Sequence, residues 1–106
     1  MPAETTFRFM VTSSFRVELL EARHAVRVLL ILRTTGPMIR SALYDEVSKG
    51  MGTAMARVNE LLDAGLLEEH IMDKRPYAKT ISLSSKGNAV AEHLAKVEEI
   101  LAGVDI

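Results

Sequence analysis

Residues 61–87 read LLDAGLLEEHIMDKRPYAKTISLSSKG, and the spacing of their apolar residues changes at Gly65. Up to that glycine the spacing is helical, and glycine is the residue that most readily ends a helix with a positive φ. The letters LLEEHIMD then predict a strand, KRPYA contains the turn-forming Pro76, and KTISLS alternates with Ile81 and Leu83 turned inward. This stretch therefore predicts a β-hairpin that directly follows a helix.

A first helix is predicted well before the hairpin. Helical spacing begins near Phe15 and is clear from Ala22 to Leu32, and Gly36 and Pro37 end the helix. The face and edge assigned to the interior comprise Ala22, Ala25, Val26, Leu29, Leu30 and Arg33.

Two shorter helices follow, joined by the glycines of KGMG. On the second helix Ile39, Leu43 and Val47 recur at spacings of four. The third helix, about 52–64, has Thr53 as its candidate N-cap. Its predicted buried stripe comprises Ala54, Val58, Leu61 and Leu62. Two short helices joined by a glycine-bearing turn indicate a helix-turn-helix.

The chain after the hairpin, SSKGNAVAEHLAKVEEILAG, predicts a closing helix capped by Ser84 or Ser85. Its apolar residues are spaced four, three and four apart, which is the narrow stripe of a helix-pairing seam. This stripe consists of Val90, Leu94, Val97 and Leu101. It can cover the body of its own domain or pair two chains. We favour pairing in a homodimer, because the helix extends well past the hairpin.

The composition excludes several classes of protein. The 106 residues carry 13 cations and 14 acids, for a net charge of -1, and no cysteine, which excludes disulfides and thiolate metal sites. No apolar run approaches the ~20 residues that span a bilayer, so we expect a cytoplasmic protein without membrane contact.

We expect one compact domain with three parts: an N-terminal arm or dimerisation segment at 1–20, a core at 21–87 and a C-terminal dimerisation helix at 88–106. In the arm, Phe7 and Phe9 begin a period-two pattern that continues at Val11. That pattern is typical of a short strand or of an arm that orders against a partner.

The joints on either side of the hairpin resemble a known family pattern. LLDAGLL (61–67) looks like the end of a third helix running into the first wing strand of MarR-, PadR- and HxlR-type regulators, and ISLSSKG (81–87) resembles their YxLTxKG exit from the wing. The resemblance covers roughly residues 22–100. It implies a winged helix: mainly α with a small β-hairpin, a three-helix helix-turn-helix core, a β wing and a long C-terminal helix.

In these families the third helix enters the DNA major groove, and the wing lies along the backbone or the minor groove. The resemblance therefore implies a sequence-specific transcriptional regulator that binds double-stranded DNA. On the exposed face of helix 52–64, Thr53 and Asn59 can contact bases, Arg57 can reach guanine or phosphate, and Met55 or Ala56 can touch a thymine methyl group.

The hairpin supplies the cations that this helix lacks. The predicted wing, 66–83, places basic and aromatic side chains where they can reach phosphate or a narrow minor groove, whose negative potential attracts arginine. These side chains are Lys74, Arg75, Tyr77 and Lys79. Further contacts to the DNA backbone are expected from Arg40, Lys49 and Lys86.

An alternative is a winged helix that binds protein in a transcription or other assembly, with little or no DNA binding. Many regulators of these families carry a cation in the middle of the third helix, where this chain has Ala56, and a weakly charged face suits a protein groove. A small-molecule effector, as in some MarR-like proteins, is compatible with either alternative.

Catalysis and metal binding are not expected. The three histidines, His24, His70 and His93, lie on different predicted elements without ligand spacing, and no serine, histidine and acid arrangement or phosphate-binding glycine loop is present. The sequence thus predicts a protein that is not an enzyme and has no cofactor.

Overall fold

The computed structural model describes residues 15–48, 50–75 and 77–103. Within these ranges the chain forms a 3-10 helix, four α-helices and three strands. In order they are the 3-10 helix Arg16–Glu21, α1 Ala25–Thr35, β1 Met38–Ile39, α2 Arg40–Val47, α3 Met51–Asp63, β2 Leu67–Ile71, β3 Lys79–Leu83 and α4 Ser85–Leu101. The predicted order of three helices, hairpin and helix is confirmed, and so is the mainly α class with a small sheet. The predicted strand or arm at Phe7, Phe9 and Val11 lies outside the described residues.

One hydrophobic core joins all three helices of the helix-turn-helix unit to the sheet. Its largest fully buried side chains are Leu29, Leu43, Leu61, Ile81, Val28 and Val58. Burying a side chain of this size contributes about 1.5–3 kcal/mol each, so this cluster holds the third helix and the wing on one body.

The buried face of α1 differs from the prediction. The residues buried on this helix are Ala25, Val28, Leu29 and Leu32. His24 has a left-handed backbone (φ 70°) and separates α1 from the 3-10 helix, so Ala22 lies outside α1. The letters AVRVLLIL are apolar nearly all round, and the period therefore did not distinguish Val28 and Leu32 from their neighbours. The predicted end of the helix at Gly36 is confirmed, with a φ of 81°.

The sheet has a third strand that the sequence did not predict. β1 pairs antiparallel with β3, with Met38 opposite Ile81 and Ile39 opposite Thr80, and the strand order is β1-β3-β2. Ile39 therefore belongs to a strand and is 47 % exposed, whereas the helical spacing had placed it on the buried face of the second helix. A strand of two residues is too short to show a period.

The beginning of α3 also corrects a prediction. The helix starts at Met51 with Gly50 as its N-cap, and no side chain caps it, so Thr53 is an exposed residue of the first turn rather than the cap. Of the predicted stripe, Ala54, Val58 and Leu61 are fully buried, and Leu62 is partly buried against the same core.

The two joints meet each other in space. Gly65 has a φ of 80°, and the next carbonyl, that of Leu66, accepts a hydrogen bond from the backbone N–H of Ser84 at 3.0 Å. The Ser84 hydroxyl donates to the carbonyl of Gly65 at 2.6 Å and accepts from the N–H of Gly87 at 3.0 Å, which makes Ser84 the cap of α4. A Cβ on Gly87 would lie 1.9 Å from the Leu66 oxygen, so only glycine allows α4 to start this close to the end of α3.

The stripe on α4 divides into two halves. Val90 and Leu94 pack against the core, and the fully buried residue between them is Ala91. Val97 and Leu101 are 49 % and 77 % exposed. The first half of the stripe therefore packs against its own domain and is half-buried, whereas the second half is exposed.

Candidate nucleic-acid interface

The exposed face of α3 is nearly without free charge. Thr53, Met55, Ala56 and Asn59 are exposed, as a groove-reading face requires. The Arg57 guanidinium binds the Glu60 carboxylate at 2.6 Å, and its Nε is buried without a hydrogen-bond partner among the described residues. The one cation on this face is therefore neutralised by an acid one turn further along the helix.

Arg40 connects three elements at the base of this face. Its Nε donates to the hydroxyl of Tyr44, its Nη1 to Glu69 on β2 and its Nη2 to the Oδ1 of Asn59 on α3. Its Cζ lies 5.7 Å from the centre of the Tyr44 ring, within the range of a cation–π contact. Two of the predicted DNA contacts, Arg40 and Asn59, are thus bound to each other.

The electrostatics of Arg40 keep it charged. Partial burial lowers the pKa of this guanidinium, but hydrogen bonds to the Tyr44 hydroxyl and the Glu69 carboxylate raise it, and the net direction is upward. The group therefore remains a cation throughout the working pH range.

Sequence reasoning missed Glu69 and Tyr44. Glu69 stands in the strand letters LLEEHIMD, 29 residues from Arg40, and nothing in the local pattern signals that the two side chains meet. Tyr44 is 5 % exposed and lies one turn after Arg40 on the same helix, and this i,i+4 spacing is a signal that could have found the contact.

The cations of the wing differ from Arg40 and Arg57 in exposure and in ion pairing. β2 and β3 pair from Leu67 opposite Leu83 to Ile71 opposite Lys79, and a hydrogen bond from Met72 N–H to the Ala78 carbonyl at 3.1 Å extends the hairpin toward its tip. Lys74, Arg75 and Lys79 are exposed, and Tyr77 is 61 % exposed. The ion pairs formed within the described residues are Arg40–Glu69 and Arg57–Glu60, so none of these wing cations belongs to one there.

Lys86 and Lys49 are the remaining residues predicted to contact the DNA backbone. Lys86 lies at the edge of an apolar groove of about 640 Å³ between the 3-10 helix, the end of α3 and α4. Lys49 lies outside the described residues. The groove is lined by Arg16, Val17, Leu19, Leu20, Ala64, Leu66, Lys86, Val90, His93 and Leu94. Two residues of the predicted dimer stripe, Val90 and Leu94, therefore form one wall of this groove.

Residues 15–48, 50–75 and 77–103 contain no group of three histidine, aspartate or glutamate side chains placed to hold a metal ion. In the described part of the chain, no helix is both long enough and apolar enough to cross a membrane.

The architecture is that of a winged helix, with α2 and α3 as the helix-turn-helix and β2–β3 as the wing. Solved structures with this fold include the reduced form of the transcriptional regulator YodB from B. subtilis, with a TM-score of 0.68 and 18 % identity over 76 % of this chain and 79 % of that one. A MarR family transcriptional regulator from Silicibacter pomeroyi matches with a TM-score of 0.68 and 19 % identity over 94 % and 69 % of the two chains. A probable transcriptional regulator from Pseudomonas aeruginosa matches with a TM-score of 0.63 and 27 % identity over 77 % and 65 %.

These comparisons confirm the resemblance to MarR-like winged-helix regulators at the level of the fold. No protein-family model matches the chain, and no curated protein sequence does. The named neighbours are described as transcriptional regulators rather than enzymes, in agreement with the prediction that the chain is not an enzyme.

Proposed function

We propose that this chain is a sequence-specific transcriptional regulator of the cytoplasm that binds double-stranded DNA as a homodimer. α3, predicted as helix 52–64, enters the major groove, and the wing lies on the backbone or in the minor groove. The observation that carries the proposal is the wing, where Lys74, Arg75 and Lys79 are exposed and belong to none of the ion pairs of the described residues. These three cations and Tyr77, the four wing residues of the prediction, are the proposed phosphate-contacting set.

The division of labour within the interface follows from the ion pairs. Near α3, Arg40 and Arg57 already have acidic partners, Glu69 and Glu60, and a phosphate must compete with these carboxylates. The exposed wing cations can neutralise phosphates, and so release the counterions condensed on the DNA, without first breaking an ion pair among the described residues. The wing therefore supplies more of the DNA affinity, and α3 supplies the contacts to base edges through Thr53, Asn59, Met55 and Ala56.

Fluorescence anisotropy with a labelled duplex over a salt series tests this proposal. Log affinity is expected to fall with log salt by about 0.9 per neutralised phosphate. Arg75→Glu removes most of the binding, whereas Lys96→Glu, the same charge reversal on exposed α4, leaves it close to wild type. Absence of binding by the wild type at ~50 mM salt and micromolar dimer would contradict the DNA-binding proposal.

The homodimer is supported by exposed apolar side chains on α4. Val97, Ile100 and Leu101, which lie on one face of this helix, are 49 %, 65 % and 77 % exposed; Phe15, just before the 3-10 helix, and Val17, within it, are each 56 % exposed. Exposed apolar surface of this kind marks interaction surfaces. In a two-fold dimer the two copies of α3 can meet successive major grooves about 34 Å apart on one DNA face. Sedimentation of Ile100→Glu against wild type tests the interface: a monomer is expected, and an unchanged dimer would exclude this surface.

The apolar groove offers a place for an effector. Its volume of about 640 Å³ lies within the range of ~300–1,000 Å³ typical of small-molecule sites, and Arg16, Lys86 and His93 are the polar residues among those that line it. The 106 residues contain no cysteine, so a signal does not reach them through thiol oxidation.

A second candidate function is protein binding, favoured by Met55, which is 40 % exposed on the weakly charged face of α3. Met55→Lys distinguishes the two functions: in a DNA-binding protein it loses the base contact of Met55 but keeps duplex binding, because the wing supplies most of the affinity, whereas it abolishes binding of a protein partner through this face. Co-purification with a partner that is lost in Met55→Lys, together with no duplex binding, would favour this second function.

A further inference from the structure

Asn59 has only one amide orientation compatible with its neighbour. The Nη2 of Arg40 donates to the Asn59 side chain. A guanidinium carries donors and no acceptor, so the atom facing it must be the carbonyl oxygen Oδ1. The amide NH₂ of Asn59 is therefore turned away from Arg40, and no described residue accepts a hydrogen bond from it.

Arg40 is itself fixed from two other sides. Glu69 on β2 accepts from Nη1, and the hydroxyl of Tyr44, a residue buried in the core, accepts from Nε. Arg40 also starts α2 directly after β1, whose pairing with β3 sets the backbone position at this point. Three of the five N–H groups of the guanidinium are used in these contacts, which leaves two for a DNA phosphate. Arg40 can therefore hold Asn59 and touch the backbone at the same time.

The orientation of this amide decides which base edge it matches. The bidentate contact of asparagine with adenine needs both halves of the amide, because adenine presents the acceptor N7 and the donor N6 side by side. Guanine presents the two acceptors N7 and O6, and thymine presents the acceptor O4. A side chain that offers only its NH₂ group suits guanine or thymine, leaves the adenine amino group without an acceptor, and opposes the cytosine amino group.

We propose that Arg40 is a specificity-determining positioning residue, which holds Asn59 as a hydrogen-bond donor and thereby makes α3 select guanine or thymine over adenine. This inference rests on the proposed function, since it concerns how the same helix reads the major groove. Glu69 and Tyr44 act through Arg40, so the base preference depends on the wing strand and on the core as well as on the recognition helix.

In vitro selection from a randomised duplex library, with the full-length chain, tests the inference. The position read by Asn59 is the one at which Asn59→Ala loses the preference shown by the wild type. There the wild type is expected to favour guanine or thymine over adenine by about fivefold or more. Arg40→Met, which keeps the length of the stem but no donor, frees the Asn59 oxygen and raises adenine relative to guanine by about fivefold.

Glu69→Gln is the matched control, because its amide oxygen still accepts from Arg40 and the base preference stays that of the wild type. Selection of adenine by the wild type at the Asn59-dependent position would overturn the inference, and so would an unchanged adenine ratio in folded Arg40→Met. If Arg40→Met does not fold, the comparison of wild type with Asn59→Ala decides alone. If the wild type retains no duplex from the library at all, the proposed function itself is overturned.

Discussion

The close approach at Gly87 makes a strong prediction about stability. Gly87→Ala would place a Cβ 1.9 Å from the backbone oxygen of Leu66, about 1.5 Å short of the ordinary contact distance of 3.4 Å. The obstructing atom is a backbone carbonyl that already accepts from Ser84, so it cannot rotate away as a flexible side chain would. The first turn of α4 must therefore move away from the end of α3.

The magnitude follows from what this movement disrupts. The Ser84 cap of α4 is worth about 1 kcal/mol. Forcing an extra carbon into a packed joint costs about 1–3 kcal/mol more, because the core contacts of Ala91 loosen as the helix shifts. We expect the free energy of unfolding to fall by about 2–4 kcal/mol and, at roughly 4–8 °C per kcal/mol for a domain of this size, a decrease in Tm of at least about 8 °C.

Gly52→Ala is a matched comparison, since both glycines lie in the first turn of a helix. A Cβ on exposed Gly52 meets nothing within 4 Å, and alanine there should stabilise the protein by up to about 1 kcal/mol. Urea unfolding of both variants at equal protein concentration measures the two effects. A Gly87→Ala variant within about 0.5 kcal/mol of wild type would refute the close approach, whatever Gly52→Ala does.

Three further outcomes are expected. Arg75→Glu should weaken duplex binding more than Asn59→Ala and lower the salt slope by about 0.9, whereas Asn59→Ala should leave the slope unchanged; anisotropy measures both, and the opposite ranking would contradict a dominant wing. Leu29→Ala removes a fully buried core side chain and should cost about 2–5 kcal/mol in urea unfolding, while Met55→Ala on the surface stays within about 1 kcal/mol. Ser84→Ala should cost about 1–2 kcal/mol, because the N–H of Gly87 and the carbonyl of Gly65 each lose their hydrogen-bond partner; a neutral variant would show that water replaces the hydroxyl.

The order of helices and strands could be predicted from the sequence, because it depends on the spacing of apolar residues and on a few residues that end or cap helices. Gly65 and Gly36 end helices with positive φ, and Ser84 caps α4, as the letters indicate. β1 was not readable, because its two residues pair with a strand more than 40 positions away and have no period of their own. The start of α3 was misplaced for a related reason: a capping residue was expected at Thr53, but the turn before α3 uses the backbone of Gly50.

The residues of the candidate interface were easier to predict than the ion pairs they form. Side-chain chemistry and spacing indicated Arg40, Asn59 and the wing cations as DNA-contacting groups, and they remain predictions. Which cations already have partners depends on tertiary proximity, as for Arg40 and Glu69, and that proximity is set by how β2 packs against α3. The local sequence around Arg40 carries no information about it.

The two-residue strand β1 also sets an order of events during synthesis. Met38 and Ile39 pair with Ile81 and Thr80. The backbone groups of β1 therefore have no strand partner until more than 40 later residues have left the ribosome. Helices α1 to α3 depend on local hydrogen bonds and can form earlier, whereas such long-range pairing is slow. The sheet therefore closes after α1 to α3 have formed, and a nascent chain that ends before Lys79 exposes two unpaired strands, β1 and β2, to aggregation.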